Sequence, residues 1–295
     1  MNSIDILNSD WGEYELLDSG NRRKLERFGD VVVIRSEPKA WWKPSSDDLW
    51  KNADAVYDDD ERASARWVFK TRISAPVMDF GGIKFCTKFM DGSKHLGVFP
   101  EQQPHWKYII DSAKPFKNAS SKPKLLNLFG YTGAASLASA KGGYCVTHVD
   151  ASKPSVDWAR KNQAVSGMEN APVRWIVDDA LKFVKREERR GAFYDAIVLD
   201  PPAFGRGPKN ELWKLEKALP ELLEVCAKIL SDKPIFVLMT LYSIEASAIM
   251  AANMLEEFFG NRKGFVSECG ELVLKPENGF ALPLSLYAKA VFGGR

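Results

Sequence analysis

Apolar runs of strand length alternate with helical stretches from residue 124 to the end of the chain. Helical patterns separate the first five runs, and this alternation is typical of a doubly wound α/β sheet, mostly parallel and Rossmann-like. The last two runs, which no helix separates, are predicted to close the sheet as an antiparallel pair. We therefore predict a seven-stranded sheet whose ligand lies at the carboxyl ends of the parallel strands. The predicted strands are 125–128, 144–149, 173–177, 194–199, 235–239, 271–274 and 284–291.

The first 98 residues follow a different pattern, with short alternating segments broken by glycine, proline and serine. We predict a small β-rich domain over 1–98, a candidate for substrate recognition, and a cofactor-binding domain over 99–295. The tryptophans of the first domain stand among lysines and arginines. They allow two interpretations: a hydrophobic core, which we favour, or stacking platforms for single-stranded RNA. These tryptophans are Trp11, Trp41, Trp42, Trp50 and Trp67.

Composition narrows the class of protein. With 295 residues, 45% hydrophobic and 27% charged, the chain has room for one large and one small globular domain. It has no apolar run of membrane-spanning length and no signal-peptide pattern at its start, so we expect a cytoplasmic protein without a membrane partner. Its four cysteines and three histidines are scattered, which predicts neither a disulfide framework nor a metal site. A net charge of +2 permits a nucleic-acid partner without demanding one.

One stretch, 124–141, has the pattern of a buried strand, a glycine-containing turn and a helix. Gly130 and Gly133 permit a tight turn with close backbone approach, and Asp150, at the end of the next strand, is placed to hold both hydroxyls of a ribose. Dinucleotides and S-adenosylmethionine both use this geometry. Thr132 stands where a dinucleotide turn needs its middle glycine, so the smaller amino-acid end of S-adenosylmethionine fits better than a pyrophosphate. A strand, turn and helix without any ligand is the alternative.

Acidic residues end three successive strands of the predicted sheet. Asp150, Asp179 and Asp200 should therefore face one crevice, where Asp179 can accept a hydrogen bond from an adenine amino group. A helix cap is a rival role for Asp179, because aspartate is a favoured residue at helix starts.

Asp200 begins a rigid loop, Asp200-Pro-Pro-Ala-Phe204. Pro201 and Pro202 supply no N–H groups and leave carbonyl oxygens free as acceptors beside the Asp200 carboxylate. Such acceptors can hold a nitrogen nucleophile with its lone pair toward an incoming methyl group, while Phe204 can stack on a flipped base. A plain rigid loop after a strand is the alternative. The predicted catalytic residues are Asp200, Pro201, Pro202 and Phe204.

With these motifs the chain resembles the class I S-adenosylmethionine-dependent methyltransferases. Within that class it is most similar to the group containing bacterial large-subunit (23S) ribosomal RNA methyltransferases, which modify cytosine carbon five or a guanine ring nitrogen. The resemblance covers residues 97 to 295. It rests on Gly97-Val-Phe-Pro-Glu-Gln102, Asn127-Leu-Phe-Gly-Tyr-Thr-Gly133, Val149-Asp-Ala-Ser152, Trp158-Ala-Arg-Lys-Asn162, Asp178-Asp-Ala180 and Asp200-Pro-Pro-Ala-Phe-Gly205.

The resemblance implies an S-adenosylmethionine site at the matching positions and methyl transfer next to Asp200. It also implies that Asn162 braces the glycine turn. The implied cofactor-binding residues are Phe99, Gln102, Phe129, Gly130, Tyr131, Thr132, Gly133, Asp150, Ala151, Ser152, Asp179, Ala180 and Asp200.

The acceptor depends on one further position. Methylation at cytosine carbon five needs a cysteine nucleophile, which the family places just after the fifth strand, where this chain has Met239-Thr-Leu-Tyr-Ser243. We therefore favour a base nitrogen of ribosomal RNA over the carbon-five activity of the family label. A methyltransferase for a small molecule or a protein side chain stays possible, as does an RNA-associated cofactor-binding protein without catalysis. A dehydrogenase is least favoured because of Thr132, and the oligomeric state is left open.

Overall fold

The computed structural model describes residues 4–59, 64–208, 211–242 and 246–293. These ranges contain strands β1 (Ile4–Asn8), β2 (Tyr14–Gly20), β3 (Arg23–Phe28), β4 (Val31–Ser36), β5 (Ala55–Asp58), β6 (Arg66–Phe69), β7 (Val77–Phe80), β8 (Ile83–Cys86), β9 (Lys124–Leu128), β10 (Cys145–Asp150), β11 (Val173–Val177), β12 (Ala196–Leu199), β13 (Phe204–Arg206), β14 (Leu212–Lys214), β15 (Phe236–Tyr242), β16 (Phe265–Leu274) and β17 (Leu282–Phe292). The helices are α1 (Asp47–Trp50), α2 (Gln103–Ser112), α3 (Ala134–Gly142), α4 (Lys153–Val165), α5 (Ala180–Arg189), α6 (Leu215–Ile229) and α7 (Ala248–Phe259).

Eight strands form the large sheet, in the order β1-β16-β17-β15-β12-β9-β10-β11. The five strands from β15 to β11 in this order are parallel, and β17 is antiparallel to both β15 and β16. The predicted seven-stranded, mostly parallel sheet and its closing antiparallel pair are therefore confirmed. An eighth strand, β1, is added parallel to β16. The chain leaves β9 toward β10 on one side and later toward β12 on the other, which places the topological switch point beside β9.

Helices cover both faces of this sheet, which explains why its central strands are apolar without alternation. On one face, Leu126 and Val237 pack in a core with Phe183 of α5 and residues of α6 and α7. On the other face, Leu125 and Phe236 pack against Ile109 of α2.

The tryptophan-rich region forms a five-stranded sheet, β2 to β6, and a separate β7-β8 hairpin. Trp11 and Trp67 are buried in a core that extends to Leu137 of α3 and Leu284 of β17, as the core interpretation expects. Trp41 differs from them because it is 80% exposed. The division into two domains at residue 98 stays a prediction.

The segment before α6 differs from the sequence prediction. The sequence pattern predicts a long helix from about Asn210 to Leu230. Asn210 lies outside the described residues, and Leu212–Lys214 is strand β14, paired with β13. Only the middle residue, Trp213, is buried there, so the segment has the alternation of a strand and not a helical apolar face.

Candidate functional site

A cavity of about 520 Å³ lies at the carboxyl ends of β9, β10, β11 and β12, the predicted ligand edge of the sheet. An adjoining cavity of about 50 Å³ shares Phe99, Phe129, Tyr131 and Asp200 with it. The larger cavity is also lined by the predicted residues Asp150, Ala151, Ser152, Asp179, Ala180, Pro201 and Pro202. The smaller one adds Gln102, Gly130 and Thr132. Gly133 and Phe204 line neither.

The glycine turn between β9 and α3 has a strained backbone with a close contact beneath it. Phe129 and Tyr131 both have positive φ angles, 57° and 49°, and Gly133 has a φ of 87°. A Cβ atom at Gly130 would lie 2.4 Å from the His148 ring, so only glycine fits there. Gly133, with its left-handed backbone, is the N-cap residue of α3 and does not line the cavity.

Asn162 of α4 braces this turn, as the resemblance implies. Its side-chain amide donates to the Thr132 carbonyl oxygen at 3.0 Å and accepts from the Cys86 backbone N–H at 2.9 Å. The buried Thr132 hydroxyl in turn donates to the Gly97 carbonyl oxygen at 2.6 Å. The turn, α4 and the segment around Gly97 are therefore fixed to one another.

Asp150 is oriented by two backbone groups. One carboxylate oxygen accepts from the Tyr131 N–H and the other from the Ser152 N–H, each at 2.8 Å. Burial raises the pKa of Asp150, and these two hydrogen bonds oppose that rise. Each oxygen keeps a further acceptor site, so the carboxylate fits the two hydroxyls of a ribose.

Asp179 has both of the roles that the sequence left open. Its carboxylate accepts from the Lys182 N–H at 2.9 Å and caps α5, and the residue also lines the larger cavity. The neighbouring Asp178 lines the same cavity and is paired with Arg186 at 2.5 Å.

Asp200 is the most perturbed acid of the site. Its Oδ1 atom is buried and has no hydrogen-bond partner in the described part of the chain. Removal of the carboxyl group from water raises the pKa of Asp200 to about 8, and the Glu101 and Asp150 carboxylates add to the rise. A buried acceptor without a partner fits a bound ligand that donates hydrogen bonds or carries positive charge.

The Asp200 loop departs from two expectations. The Pro202 carbonyl oxygen, expected to be a free acceptor, already accepts from the Trp213 indole at 2.6 Å. Phe204 is 57% exposed and lines a separate apolar groove with Leu215 and Met250, so its ring does not face the crevice. The reason is the β13-β14 pairing: Gly205 and its partner Trp213 face the cavity, while Phe204 is paired with Lys214 of that groove.

Three aromatic residues that were not expected from the sequence, His95, Trp213 and Tyr242, join the expected Phe99 in another wall of the cavity. The Phe99 ring lies 5.1 Å from the His95 ring and 5.8 Å from the Tyr242 ring, and all three line the cavity together with Trp213. Gln102 donates to the Tyr242 hydroxyl at 2.9 Å. The sequence features that could have indicated these residues are weak. His95 stands two positions before the Gly97 motif, and Tyr242 ends a strand that continues beyond its predicted end.

Two kinds of feature are absent from the described residues: a metal-binding cluster and a membrane-spanning helix. Within the described ranges, no cluster of three or more His, Cys, Asp or Glu side chains is placed to hold a metal ion. None of the helices that the structure describes has the length and apolarity needed to cross a membrane.

Comparisons with known proteins give the family. The model of the S-adenosylmethionine-dependent methyltransferase family matches residues 112–255. A ribosomal RNA large subunit methyltransferase K/L of Shewanella frigidimarina is 33% identical over 144 residues, which cover 48% of this chain and 19% of that protein. A ribosomal RNA large subunit methyltransferase I of Pseudoalteromonas translucida is 29% identical over 62% of this chain and 43% of that protein. The chain thus matches less than half the length of these curated relatives.

The match to a solved structure extends over nearly the whole chain. The crystal structure of an S-adenosylmethionine-dependent methyltransferase from Agrobacterium tumefaciens has a TM-score of 0.92 and 42% identity, over 98% of this chain and 94% of that one. Together with the glycine turn, the three strand-end aspartates and the Asp200-Pro-Pro loop, this match identifies the chain as a member of the S-adenosylmethionine-dependent methyltransferases.

Proposed function

We propose that this protein transfers the methyl group of S-adenosylmethionine to a base nitrogen of ribosomal RNA, in the cytoplasm where ribosomes are found. The observation that carries the proposal is the Asp200 carboxyl group, whose buried Oδ1 atom lacks a partner in the described chain beside a cavity of about 520 Å³. The names of the curated relatives, ribosomal RNA large subunit methyltransferases, support RNA as the substrate.

We assign the cofactor to the two adjoining cavities. Asp150 would hold the ribose hydroxyls, and Asp179 would accept from the adenine amino group with the lone pairs that its cap leaves free. The smaller cavity, lined by Gln102, Gly130 and Thr132, would take the amino-acid end. Bound S-adenosylmethionine supplies an electrophilic methyl group on a sulfonium.

Asp200 has the central role toward the acceptor. Its carboxylate accepts a hydrogen bond from the acceptor amino group and so turns the nitrogen lone pair toward the methyl group. Once the carbon–nitrogen bond has formed, the nitrogen must lose a proton, and in this proposal the ionised Asp200 carboxylate takes it. A pKa raised to about 8 by burial suits that task, because Asp200 is ionised near and above this pH and is then a stronger base than an exposed aspartate.

The positions of the cysteines support nitrogen over carbon five. The described end of β15, residues 239–242, contains none, and Ser243 lies outside the described residues. Cys86, Cys226 and Cys269 are buried away from the cavity, and Cys145 begins β10 at the opposite edge of the sheet. A thiolate that adds to cytosine carbon six is therefore missing from the described cavity wall.

The test is transfer of radiolabelled methyl groups from S-adenosylmethionine to separate RNA, protein and small-molecule fractions of a strain that lacks the gene. We expect label in large-subunit ribosomal RNA with the wild-type protein, at least a hundredfold less with Asp200→Ala, and unchanged labelling with the exposed Asp157→Ala as control.

Nucleoside analysis of the labelled RNA then identifies the modified atom. A methylated base nitrogen supports the proposal, whereas 5-methylcytosine contradicts the choice of nitrogen. Label confined to protein or small molecules contradicts RNA as the substrate and favours the alternative class of acceptor.

A further inference from the structure

Trp41 is exposed to solvent, whereas other tryptophans of the first 98 residues are packed in the core. It is 80% exposed, against 5% for Trp11 and 6% for Trp67. Its indole N–H donates to the Pro38 carbonyl oxygen at 2.7 Å, and its backbone N–H donates to the Lys39 carbonyl oxygen at 3.0 Å. The ring is thus held by its own backbone, and its faces stay open to a ligand.

Two exposed cations belong to backbone segments that adjoin Trp41. Lys43 follows it by two positions, and Arg22 donates its backbone N–H to the Ala40 carbonyl oxygen at 2.7 Å. Neither side chain has an ion pair within the described residues. We call Arg22, Trp41 and Lys43 the Trp41 surface.

Nearby acids are mostly engaged elsewhere. Glu37 is paired with Lys24 at 3.4 Å, and the Asp18 carboxylate accepts from the Trp50 indole and from backbone N–H groups. Asp48 is paired with Lys51 at 2.7 Å, which leaves Asp47 as an exposed acid of α1. The Trp41 surface as defined contains two cations and no acid.

The basic residues of α5 contrast with this surface. Lys182 is paired with Glu211, Lys185 with Glu221 and Arg186 with Asp178. The charges of these three residues are compensated within the protein, whereas Arg189, the exposed last residue of α5, is in none of the described ion pairs.

The Trp41 surface is attached to the walls of the cavity at two points. The Lys94 ammonium group, one position before the cavity residue His95, donates to the Ser36 carbonyl oxygen at 2.9 Å. The Lys39 ammonium group donates to the Leu284 carbonyl oxygen at 2.6 Å. The residue after Leu284 is the strand partner of the cavity residue Tyr242. These two hydrogen bonds tie the segment that leads into Trp41 to the segments that carry His95 and the strand partner of Tyr242.

We propose that the Trp41 surface binds single-stranded RNA that flanks the acceptor base, with one base stacked on Trp41 and phosphates held by Arg22 and Lys43. An indole face stacks on any base, and cations follow the phosphates without reading sequence, which is the combination that a flexible strand needs. This inference rests on RNA as the substrate in the proposed function and adds the place where the flanking strand docks.

Binding of a fluorescein-labelled single-stranded RNA of about 15 nucleotides and mixed sequence, followed by anisotropy, tests the proposal with the full chain. We expect Trp41→Ala to bind at least about fivefold more weakly and Trp41→Phe to stay within about twofold of wild type, since one stacked base contributes about 1 kcal/mol or more. Arg22→Gln and Lys43→Gln should each lower the slope of log affinity against log salt by about 0.7.

The control is Phe193→Ala. Phe193 is 54% exposed and lies just before β12, at the amino-terminal ends of the parallel strands and so opposite the cavity. It should bind the RNA like wild type. Because Trp41 is exposed, thermal unfolding of Trp41→Ala should match wild type, which separates lost binding from lost folding.

The proposal is overturned if wild type does not bind the RNA at low salt, if Trp41→Ala binds like wild type, or if Phe193→Ala is weakened equally. Its failure is distinguishable from that of the proposed function. If ribosomal RNA is methylated but RNA binding does not depend on Trp41, only the proposed docking surface is contradicted. If RNA binding depends on Trp41 but no RNA is methylated, only the proposed acceptor is contradicted.

Discussion

The Asn162 side-chain amide donates a hydrogen bond to the Thr132 carbonyl oxygen at 3.0 Å and so ties helix α4 to the turn that faces the cavity. Asn162 is fully buried, and the same side chain accepts from the Cys86 N–H. We expect Asn162→Ala to lower the free energy of unfolding by about 2 kcal/mol, since two buried groups lose their partner. It should also weaken binding of S-adenosylhomocysteine at least fivefold, measured by calorimetry.

The neighbouring Gln163 supplies the matched control, because it is also buried but binds Met168 and Trp175 outside the cavity. Gln163→Ala should lose stability without losing affinity for S-adenosylhomocysteine. Wild-type affinity in Asn162→Ala would contradict the bracing role.

Gly130 has no room for a side chain above the His148 ring. A Cβ atom would lie 2.4 Å from two ring atoms, and the ring is fully buried and held by the Ser136 hydroxyl at 2.9 Å. We expect Gly130→Ala to lower the free energy of unfolding by about 1–3 kcal/mol through overpacking, measured by urea denaturation. In a His148→Ala background the same change should cost less, because the ring is gone. Equal costs in both backgrounds would show that another contact is responsible.

Asp150 combines two backbone contacts with the proposed ribose contact. In Asp150→Asn one carboxylate oxygen becomes an amide nitrogen, which cannot accept a hydrogen bond. We expect affinity for S-adenosylhomocysteine to fall at least tenfold, measured by calorimetry. Asp157→Asn is the control, since Asp157 is exposed and is paired with Lys153 on the surface of α4. A change of less than twofold in Asp150→Asn would remove Asp150 from the cofactor site.

Asp200 should make the stability of the protein depend on pH in an unusual direction. Its pKa is about 8 in the folded protein and about 4 in an unfolded chain, so between these values the folded state holds a proton that the unfolded state releases. The contribution of Asp200 to stability therefore falls as pH rises from about 4 to 8.

Asp200→Asn removes this dependence. We compare the melting temperature of Asp200→Asn minus that of wild type, both without cofactor. This difference should be at least about 3 °C higher at pH 8.5 than at pH 5. Differential scanning calorimetry at the two pH values checks this. A difference between variant and wild type that is the same at both values would mean that the pKa of Asp200 is not raised.

The sequence was sufficient for the parts of the site that follow from strand order. Parallel strands that alternate with helices bring their carboxyl ends to one edge, so Asp150, Asp179 and Asp200 were expected together and line one cavity. The cap at Asp179 also followed from residue type. These features depend on local pattern and on a topology that the pattern itself specifies.

The remaining parts of the site depend on contacts between distant segments. His95 reaches the cavity because Arg35 donates to the Lys94 carbonyl oxygen at 3.0 Å, a contact that no periodicity indicates. The side to which Phe204 points is set by the short β13-β14 hairpin, whose strands of three residues have too little alternation to be found from sequence. Which cations stay unpaired, Arg22 but not Lys182, is likewise a property of the folded surface.

The pairing of strand β1 with β16 determines when the large sheet can be completed during synthesis. Ile4 is paired with Cys269, and Gly270 allows the Asp5 backbone to lie where a side chain would otherwise be. A ribosome releases residues 4–8 long before β16 exists, so this edge strand lacks its partner until residues 265–274 have been synthesised. The large sheet is therefore completed only after the synthesis of β16, and a chain that stops before β16 leaves residues 4–8 without this partner.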